Sequence, residues 1–297
     1  MKILVTGANG FLGQHLVKLL LSNGFSVLAT GRGPARLVQA SATPIPYLSL
    51  DFTSREETLA VFRDFQPDMV IHTAAMSKPD ECALFPEQAY TVNVKGTLNL
   101  LEAGATSKAH FIFLSTDFIF DGEKGMYLET DPPAPVNYYG ETKWEAEKKV
   151  QAYPADWTII RTVLVYGPNY SGRKNIIDIV KEKLQQGEPY SVVDDQLRTP
   201  TFVEDLAGAI LKLIEKKANG IFHVAGEDML SPYAMACRVA AALALDSSLL
   251  KRVNASVFTE PARRPLKTGL NISKATTQLG YQPLSFDEGL RRTLDQK

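Results

Sequence analysis

Tyr139 and Lys143 are the pair of side chains in this sequence best suited to proton transfer. The segment around them has helical periodicity, and a spacing of four residues places both side chains on one face of a helix. A lysine ammonium beside a tyrosine favours the phenolate form. We therefore predict that Tyr139 donates a proton to a carbonyl oxygen that receives hydride, or acts as the base in the reverse direction.

Hydride transfer requires a cofactor, and the chain opens with a loop suited to a dinucleotide. Gly7, Gly10 and Gly13 have the spacing Gly-x-x-Gly-x-x-Gly between the first predicted strand and the first predicted helix. Glycines allow a tight turn and the close approach of a pyrophosphate, and the helix amino terminus offers N–H groups to the phosphates. The predicted contacts in this loop are Gly7, Asn9, Gly10, Phe11 and Leu12.

The end of the second predicted strand bears on which nicotinamide cofactor is used. An acidic residue there would bind the ribose 2′-hydroxyl and repel a 2′-phosphate. This chain has no carboxylate at that point and carries Arg32, and arginine forms paired charge-assisted bonds to phosphate. NADP(H) is favoured, with NAD(H) as the alternative, and a solvated surface role for Arg32 stays open. Asp51 and Phe52 are candidates for an adenine contact, although a helix cap and turn would look the same.

The predicted strand His110–Ser115 ends at Ser115, and Thr116 and Asp117 come directly after it. Parallel α/β sheets bind their ligands at the carboxyl ends of the strands. Thr116 is placed to hydrogen-bond the same carbonyl oxygen as Tyr139, and Ser115 is counted among the cofactor contacts. A Tyr-x-x-x-Lys pair alone is common on helix surfaces. The catalytic interpretation of this pair therefore depends on the glycine loop and the strand end that accompany it.

These residues require a scaffold of alternating strands and helices. The predicted strands are Ile3–Thr6, Ser26–Thr30, Pro46–Leu50, Met69–His72, His110–Ser115 and Thr158–Arg161. The predicted helices lie near Gly10–Ser22, Ser54–Phe65, Pro86–Ala103 and Val136–Ala152. Continuous apolar strands indicate a parallel sheet covered by helices on both faces. The sequence therefore predicts an α/β fold of the Rossmann type, with a doubly wound parallel sheet.

The alternation loosens after Gly167, which predicts a smaller carboxy-terminal lobe. Val203–Glu215 has the pattern of an amphipathic helix, and Gly220–Ala225 that of a strand that could rejoin the sheet. We expect a dinucleotide-binding domain of residues 1–166 with 199–225. The substrate-binding lobe would comprise residues 167–198 with 226–297.

Composition excludes several classes of function. The chain has 297 residues and a net charge of −1, which provides no field for holding a nucleic acid. Charged residues interrupt every apolar stretch before it could span a bilayer, and a strand-like start leaves no room for a signal peptide, so we expect a cytoplasmic protein. Two cysteines, Cys82 and Cys237, and four histidines without ligand spacing predict neither disulfides nor a metal site.

Taken together, these motifs resemble the extended short-chain dehydrogenases/reductases that act on nucleotide sugars, and most closely the dTDP-4-dehydrorhamnose reductase-like group. The matching stretches are residues 7–13, 72–75, 93–97, 115–122, 139–143 and 161–168, with a weaker match over 195–207. The resemblance implies that Thr116, Tyr139 and Lys143 are catalytic and that Asn93 supports the active-site backbone or a water relay. It also places Thr73, Ala74 and Ala75 over the cofactor and Tyr166 beside the nicotinamide.

The resemblance implies reduction of a 4-keto nucleotide sugar, and homodimers are frequent among such relatives. Related dehydratases need an Asp-Glu pair after the threonine, whereas here Phe118 follows Asp117. Two departures from the group, Phe11 and Leu12 in the phosphate loop and Arg198 in place of glycine, leave the sugar open. The candidate substrate contacts are Ser77, Lys78, Asp117, Gln196, Arg198 and Arg263 or Arg264.

Two other functions stay open at this point. One is a nucleotide-sugar epimerase with tightly held NAD, which would use the same three residues to oxidise and re-reduce one carbon. The other is a regulatory subunit that binds a dinucleotide without turnover, as some relatives of this group do.

Overall fold

A computed structural model describes residues 1–38, 44–172 and 174–295. Within these ranges the strands are β1 (Lys2–Thr6), β2 (Ser26–Gly31), β3 (Tyr47–Ser49), β4 (Met69–His72), β5 (His110–Thr116), β6 (Trp157–Thr162), β7 (Val165–Tyr166), β8 (Tyr190–Val193), β9 (Thr201–Phe202), β10 (Gly220–His223) and β11 (Leu250–Val253). The helices are α1 (Phe11–Ser22), α2 (Arg55–Phe65), α3 (Pro79–Leu84), α4 (Pro86–Tyr90), α5 (Gly96–Ser107), α6 (Tyr138–Gln151), α7 (Ile176–Gln185), α8 (Val203–Glu215), α9 (Pro232–Ala242), α10 (Ser273–Leu279) and α11 (Phe286–Asp295).

The central sheet has seven strands in the order β3-β2-β1-β4-β5-β6-β10. All six pairings are parallel. The order reverses direction between β1 and β4, which is the switch point where such sheets bind dinucleotides. The prediction of an α/β fold with a doubly wound parallel sheet is confirmed.

Successive side chains of each strand enter different helical layers. Ile3 and Val5 of β1 pack in the layer that holds α1 and α8, whereas Leu4 packs in the layer that holds α2, α5 and α6. The same alternation separates Ile112 from its neighbours Phe111 and Phe113 on β5. Helices cover both faces of the central strands, which agrees with the largely apolar sequences of these strands.

A third apolar cluster lies in the carboxy-terminal part of the chain. It is formed by α7, α9 and α11 with β8 and β11, and Tyr166 and Phe202 also pack in it. Helix α8 belongs instead to the sheet layer, because Leu206 and Ile210 pack with the residues of α1. The chain therefore crosses from the sheet into this cluster near Tyr166 and returns through α8 and β10.

The helix predicted over residues 86–103 is interrupted in the structure. Helix α4 ends at Tyr90, a π-helical turn spans Thr91–Lys95, and α5 continues from Gly96. A π turn inserts one extra residue into the helical ladder and is frequent at functional sites. Periodicity does not reveal it, because the flanking segments keep their helical pattern.

Within the described residues, none of the helices combines the length and the apolar character needed to cross a membrane.

Candidate cofactor and active site

Close backbone packing requires glycine in the loop between β1 and α1. Gly7 has a φ of +75°, and a Cβ there would lie 2.7 Å from the backbone nitrogen of Ala74. A Cβ on Gly13 would lie 2.2 Å from the Gly7 carbonyl oxygen. Gly10 caps α1 without a side-chain hydrogen bond, so the N–H groups of the first turn point out of the helix end. The residues present fit a dinucleotide phosphate at this helix amino terminus.

Alanine at Gly7 is expected to weaken NADPH binding by at least about tenfold, because the added Cβ must displace the backbone at Ala74 and with it the loop beside the phosphates. Gly24→Ala is the matched control, since Gly24 has a φ of +77° and nothing within 4 Å of the added Cβ. Both variants carry the same backbone strain, so only the contact differs. Titration of each with NADPH checks this; equal affinities would contradict the assignment of the loop.

Asn9 organises the loop that carries Arg32. Its Nδ2 donates to the Pro34 carbonyl at 3.1 Å and to the Tyr47 hydroxyl at 2.9 Å, and its Oδ1 accepts from the Arg36 backbone N–H at 2.8 Å. These bonds hold the segment after β2 against the glycine loop. Asn9 is buried and acts on the protein backbone, so it shapes the predicted dinucleotide site through that loop.

Arg32 lies at the surface beside the end of β3. Its Nη2 is 3.6 Å from Asp51 Oδ1, and the two side chains are 54% and 44% exposed. Both are accessible to a ligand at the edge of the sheet. Phe52 is placed differently, because its ring is buried against His72 at 5.2 Å between centroids. The Phe52 side chain is therefore part of the core, which corrects the prediction that it contacts an adenine.

Tyr139 and Lys143 lie on the buried face of α6, next to the end of β5. The Lys143 ammonium donates to the Leu114 carbonyl at 2.8 Å and sits 3.9 Å over the Phe113 ring. The Tyr139 ring packs edge-on against Phe118 at 5.8 Å. Leu114 and Phe118 flank Thr116 in the chain, so the three predicted catalytic residues converge at one place. Burial lowers the pKa of Lys143 to about 7.

Thr116 caps the short 3₁₀ turn Asp117–Ile119. Its Oγ1 accepts from the Phe118 backbone N–H at 3.2 Å and donates to Asp117 Oδ1 at 3.2 Å. The Asp117 carboxylate also accepts from the Thr268 hydroxyl and lies 3.9 Å from Arg198 Nε. Burial raises the pKa of Asp117, and the Arg198 charge opposes that shift. Asp117 is therefore a buried acid that connects the end of β5 to the lobe through Thr268 and Arg198. A substrate contact would need an exposed carboxylate, so this placement differs from the predicted one.

Asn93 lies in the π turn and holds the segment after β4. Its amide exchanges hydrogen bonds with the Met76 backbone at 2.8 and 3.0 Å, and it donates to Thr142 Oγ1 at 3.0 Å. It therefore ties α6 to the stretch that contains Thr73, Ala74 and Ala75. These three are half-buried, and Thr73 Oγ1 donates to the Thr6 carbonyl at 2.7 Å.

Glu147 and Arg161 form a buried ion pair that the sequence analysis did not single out. Their side chains are 0% and 2% exposed, and Arg161 Nη2 lies 2.8 Å from Glu147 Oε2. The Ser115 hydroxyl donates to Glu147 Oε1 at 2.5 Å. The sequence did indicate that Glu147 belongs to this site, because Tyr139, Lys143 and Glu147 follow one another at intervals of four along one helix and so share a face.

Tyr166 and Arg198 have side chains engaged within the lobe. The Tyr166 ring is buried between Phe202 and Phe286, with centroids at 5.7 and 4.8 Å, so its side chain belongs to the lobe core. The Arg198 guanidinium donates to the Leu197, Pro265 and Leu266 carbonyls. These bonds join two segments of the lobe and engage the guanidinium that was predicted to contact the substrate.

The remaining substrate candidates surround a groove of the lobe. Gln196, Arg263 and Arg264 line it, and the Gln196 amide oxygen accepts from Arg198 at 3.3 Å. Arg264 makes a two-pronged ion pair with Asp80, with both N–O distances 2.6 Å, whereas the Arg263 side chain is exposed. Of the two arginines, Arg263 is the one available to a ligand.

Ser77 and Lys78, the other two substrate candidates, lie between β4 and α3. Ser77 is half-buried, and the exposed Lys78 ammonium pairs with Glu81 at 2.5 Å. Among the described residues no group of three potential metal ligands comes together.

Comparison with known proteins gives a consistent result. The family model described as the RmlD substrate binding domain matches residues 1–297. The chain is 31% identical to methionine adenosyltransferase 2 subunit beta of Pongo abelii, over 99% of this chain and 87% of that protein. It is 29% identical to a dTDP-4-dehydrorhamnose reductase of Aggregatibacter actinomycetemcomitans, over 98% and 97% of the two chains.

Solved structures share the whole architecture. A dTDP-4-dehydrorhamnose reductase of Clostridium acetobutylicum superimposes with a TM-score of 0.88 at 31% identity, covering 99% of each chain. A dTDP-4-dehydrorhamnose reductase of Bacillus anthracis in complex with NADP has a TM-score of 0.88 at 27% identity, covering 100% of this chain and 99% of the other. The chain belongs to the RmlD substrate-binding-domain family, in the dTDP-4-dehydrorhamnose reductase group of the extended short-chain dehydrogenase/reductase-like proteins.

Proposed function

We propose that the protein is an NADPH-dependent reductase of a 4-keto nucleotide sugar. One observation carries the proposal: Tyr139 and Lys143 share the buried face of α6 and meet the end of β5 on either side of Thr116. That end of the sheet is the one where the glycine loop opens. A carbonyl bound there would contact a proton donor and a second hydroxyl at once.

Each catalytic residue has its own role in the reduction of the carbonyl. Bound NADPH supplies the hydride that adds to the carbonyl carbon. Tyr139 donates its phenolic proton to the carbonyl oxygen, and the adjacent Lys143 ammonium stabilises the phenolate that remains. Thr116 orients the oxygen, which requires its hydroxyl to turn from Asp117 towards the substrate. Phe118 packs edge-on against the Tyr139 ring and helps to hold its orientation.

The direct test is an assay of the wild-type protein with dTDP-4-keto-6-deoxy sugars. Oxidation of NADPH that depends on the sugar supports the proposal. Tight NADPH binding without oxidation of any keto sugar would overturn it. Protein that purifies with bound NAD, and interconverts sugar epimers without added reductant, would establish the epimerase in its place.

Replacement of Arg32 by serine is expected to weaken NADPH binding by about tenfold or more, the effect of losing charge-assisted hydrogen bonds to a phosphate. NADH binding should stay within about twofold, because NADH has no 2′-phosphate for the guanidinium to bind. Loss of Arg32 also frees Asp51, which lies 3.6 Å away and repels phosphate. Equilibrium titration with both cofactors measures the ratio; an equal loss for both would exclude this role for Arg32.

A second function is favoured by one finding, the likeness to methionine adenosyltransferase 2 subunit beta at 29–32% identity over 99% of the chain. On this reading the chain binds a dinucleotide and assembles with a methionine adenosyltransferase. A stable complex of fixed stoichiometry with such an enzyme, together with no turnover of keto sugars, would support it. Keto-sugar reduction by the isolated chain would count against it.

A further inference from the structure

Glu147 is a buried charge on the active-site helix that the proton transfer described above does not use. It is 0% exposed and stands one turn beyond Lys143 on the face that also carries Tyr139. Burial of a carboxylate costs free energy unless hydrogen bonds and opposite charges compensate it. The groups that compensate the Glu147 charge are therefore held in place by it.

The Glu147 carboxylate contacts one residue on β5 and one on β6. Its Oε1 accepts from Ser115 Oγ at 2.5 Å, and Ser115 is the residue before Thr116. Its two oxygens also accept from Arg161 Nε at 3.1 and 3.3 Å and from Nη2 at 2.8 Å. Arg161 lies on β6, beside β5, so the carboxylate ties α6 to both strands.

We propose that Glu147 is a positioning residue for the proton transfer, which fixes Ser115 at the end of β5 and supplies the negative charge that retains the Lys143 ammonium beside Tyr139. The inference rests on the proposed reductase function. It assigns Glu147 no contact with the substrate or the cofactor; its effect passes through Ser115 and Lys143.

The surroundings of Lys143 show why this charge matters. The side chain is 3% exposed, and burial lowers its pKa to about 7. Glu147 is the main charge that opposes this shift, followed by Cys82 on α3. Burial raises the pKa of the Cys82 thiol to about 11, so the thiol is uncharged near neutral pH.

Other titratable or charged groups of the described residues lie around this helix face. His72 on β4 is held neutral, because burial and the Lys143 charge lower its pKa. Asp117 is engaged with Thr268 and faces Arg198, and Arg161 is paired with Glu147 itself. Tyr139 is the reacting group. Glu147 is therefore the carboxylate best placed to balance Lys143.

Loss of the Glu147 charge lowers the pKa of Lys143 further. The Lys143 ammonium is lost as pH rises through its pKa. Removal of the Glu147 charge leaves the desolvation of Lys143 unopposed, so the titration midpoint moves to lower pH. Less ammonium then remains at neutral pH to stabilise the phenolate.

The titration of Lys143 can be followed by NMR in protein labelled with [ε-¹³C]lysine, with the signal assigned by its loss in Lys143→Met. The midpoint is expected to fall by about one pH unit or more in Glu147→Gln, which keeps the acceptor for Ser115 and removes the charge. An unchanged midpoint in folded Glu147→Gln would overturn the inference.

Glu147→Gln leaves Arg161 unbalanced and can fail to fold, so a second variant is needed. Glu147→Met/Arg161→Met replaces the ion pair by apolar side chains of similar length, an exchange that buried pairs often tolerate. Its midpoint is expected to fall by less than in Glu147→Gln, because the Arg161 cation is lost together with the carboxylate and the two losses act in opposite directions. A midpoint at or above the wild-type value would count against the proposal.

Ser115→Ala separates the two routes by which Glu147 acts. It removes only the hydrogen bond, so kcat for keto-sugar reduction is expected to fall while the Lys143 midpoint stays where it is in the wild type. The alkaline limb of the kcat/KM profile should shift in Glu147→Gln and not in Ser115→Ala. The NMR titration needs no substrate, so a failure of the reductase assignment would be seen separately, as absent turnover in wild-type protein whose midpoint still responds to Glu147.

Discussion

Tyr139→Phe is expected to lower kcat for keto-sugar reduction by about 10²–10⁴-fold, the range that a positioned proton donor contributes. The variant loses only the phenolic oxygen and keeps the ring that packs against Phe118. Without that oxygen the alkoxide formed by hydride addition must take its proton from water. The dissociation constant for NADPH is expected to change by less than about twofold, because the loop that fits the phosphates is untouched. Steady-state assays and a cofactor titration measure the two quantities.

Tyr138→Phe is the matched control for this experiment. Tyr138 is the neighbouring tyrosine on the same helix, is half-buried, and lacks the four-residue spacing to Lys143. It is expected to retain wild-type kcat within about threefold. Turnover retained in Tyr139→Phe, or lost equally in both variants, would sink the assignment of Tyr139 as the proton donor.

Arg161→Met is expected to reduce the free energy of unfolding by about 3–5 kcal/mol, the cost of leaving a buried charge without its partner. The substitution strands the Glu147 carboxylate, which is 0% exposed and keeps only its bond from Ser115 among the contacts named above. It also removes the hydrogen bond from Arg161 Nη1 to the Glu129 carbonyl at 3.2 Å. Urea denaturation followed by circular dichroism gives the free energy.

Two comparisons sharpen this prediction. Arg55→Met breaks an exposed pair with Glu102 at 3.0 Å, whose side chains are 65% and 43% exposed, and is expected to cost less than about 1 kcal/mol. Glu147→Met/Arg161→Met should be more stable than Arg161→Met alone, because it leaves no buried charge. A loss in Arg161→Met no larger than in Arg55→Met would mean that the buried pair is not needed for stability.

The sequence predicted the sheet well because each strand that forms it carries its own signal. Runs such as Met69–Ile71 and Phe111–Phe113 are apolar and buried on both faces of the sheet. The glycine spacing is equally local, since Gly7, Gly10 and Gly13 act within one turn. The predicted helix Val203–Glu215 agrees with α8 residue by residue.

What the sequence could not supply depends on contacts between distant segments. Tyr166 and Phe52 look like site residues from their positions next to motifs, but α11 and α5 cover their side chains. Arg198 was a candidate substrate contact in the sequence, but in the fold its guanidinium donates to the carbonyls of residues 265 and 266. The partner of Glu147 lies 14 residues away on another element, and spacing along one helix does not show that partner.

The last strand of the sheet has a consequence for synthesis of the chain. Strand β10 pairs with β6 across more than sixty residues of sequence, Thr158 opposite Gly220. As the chain leaves the ribosome, β6 can join β5 early, but its outer edge stays without hydrogen-bond partners until residues 220–223 have emerged. An open parallel edge is a template for pairing with other nascent chains. The lobe residues in between thus set the period during which this protein is most prone to aggregate, and a protein shortened at residue 166 would never leave that state.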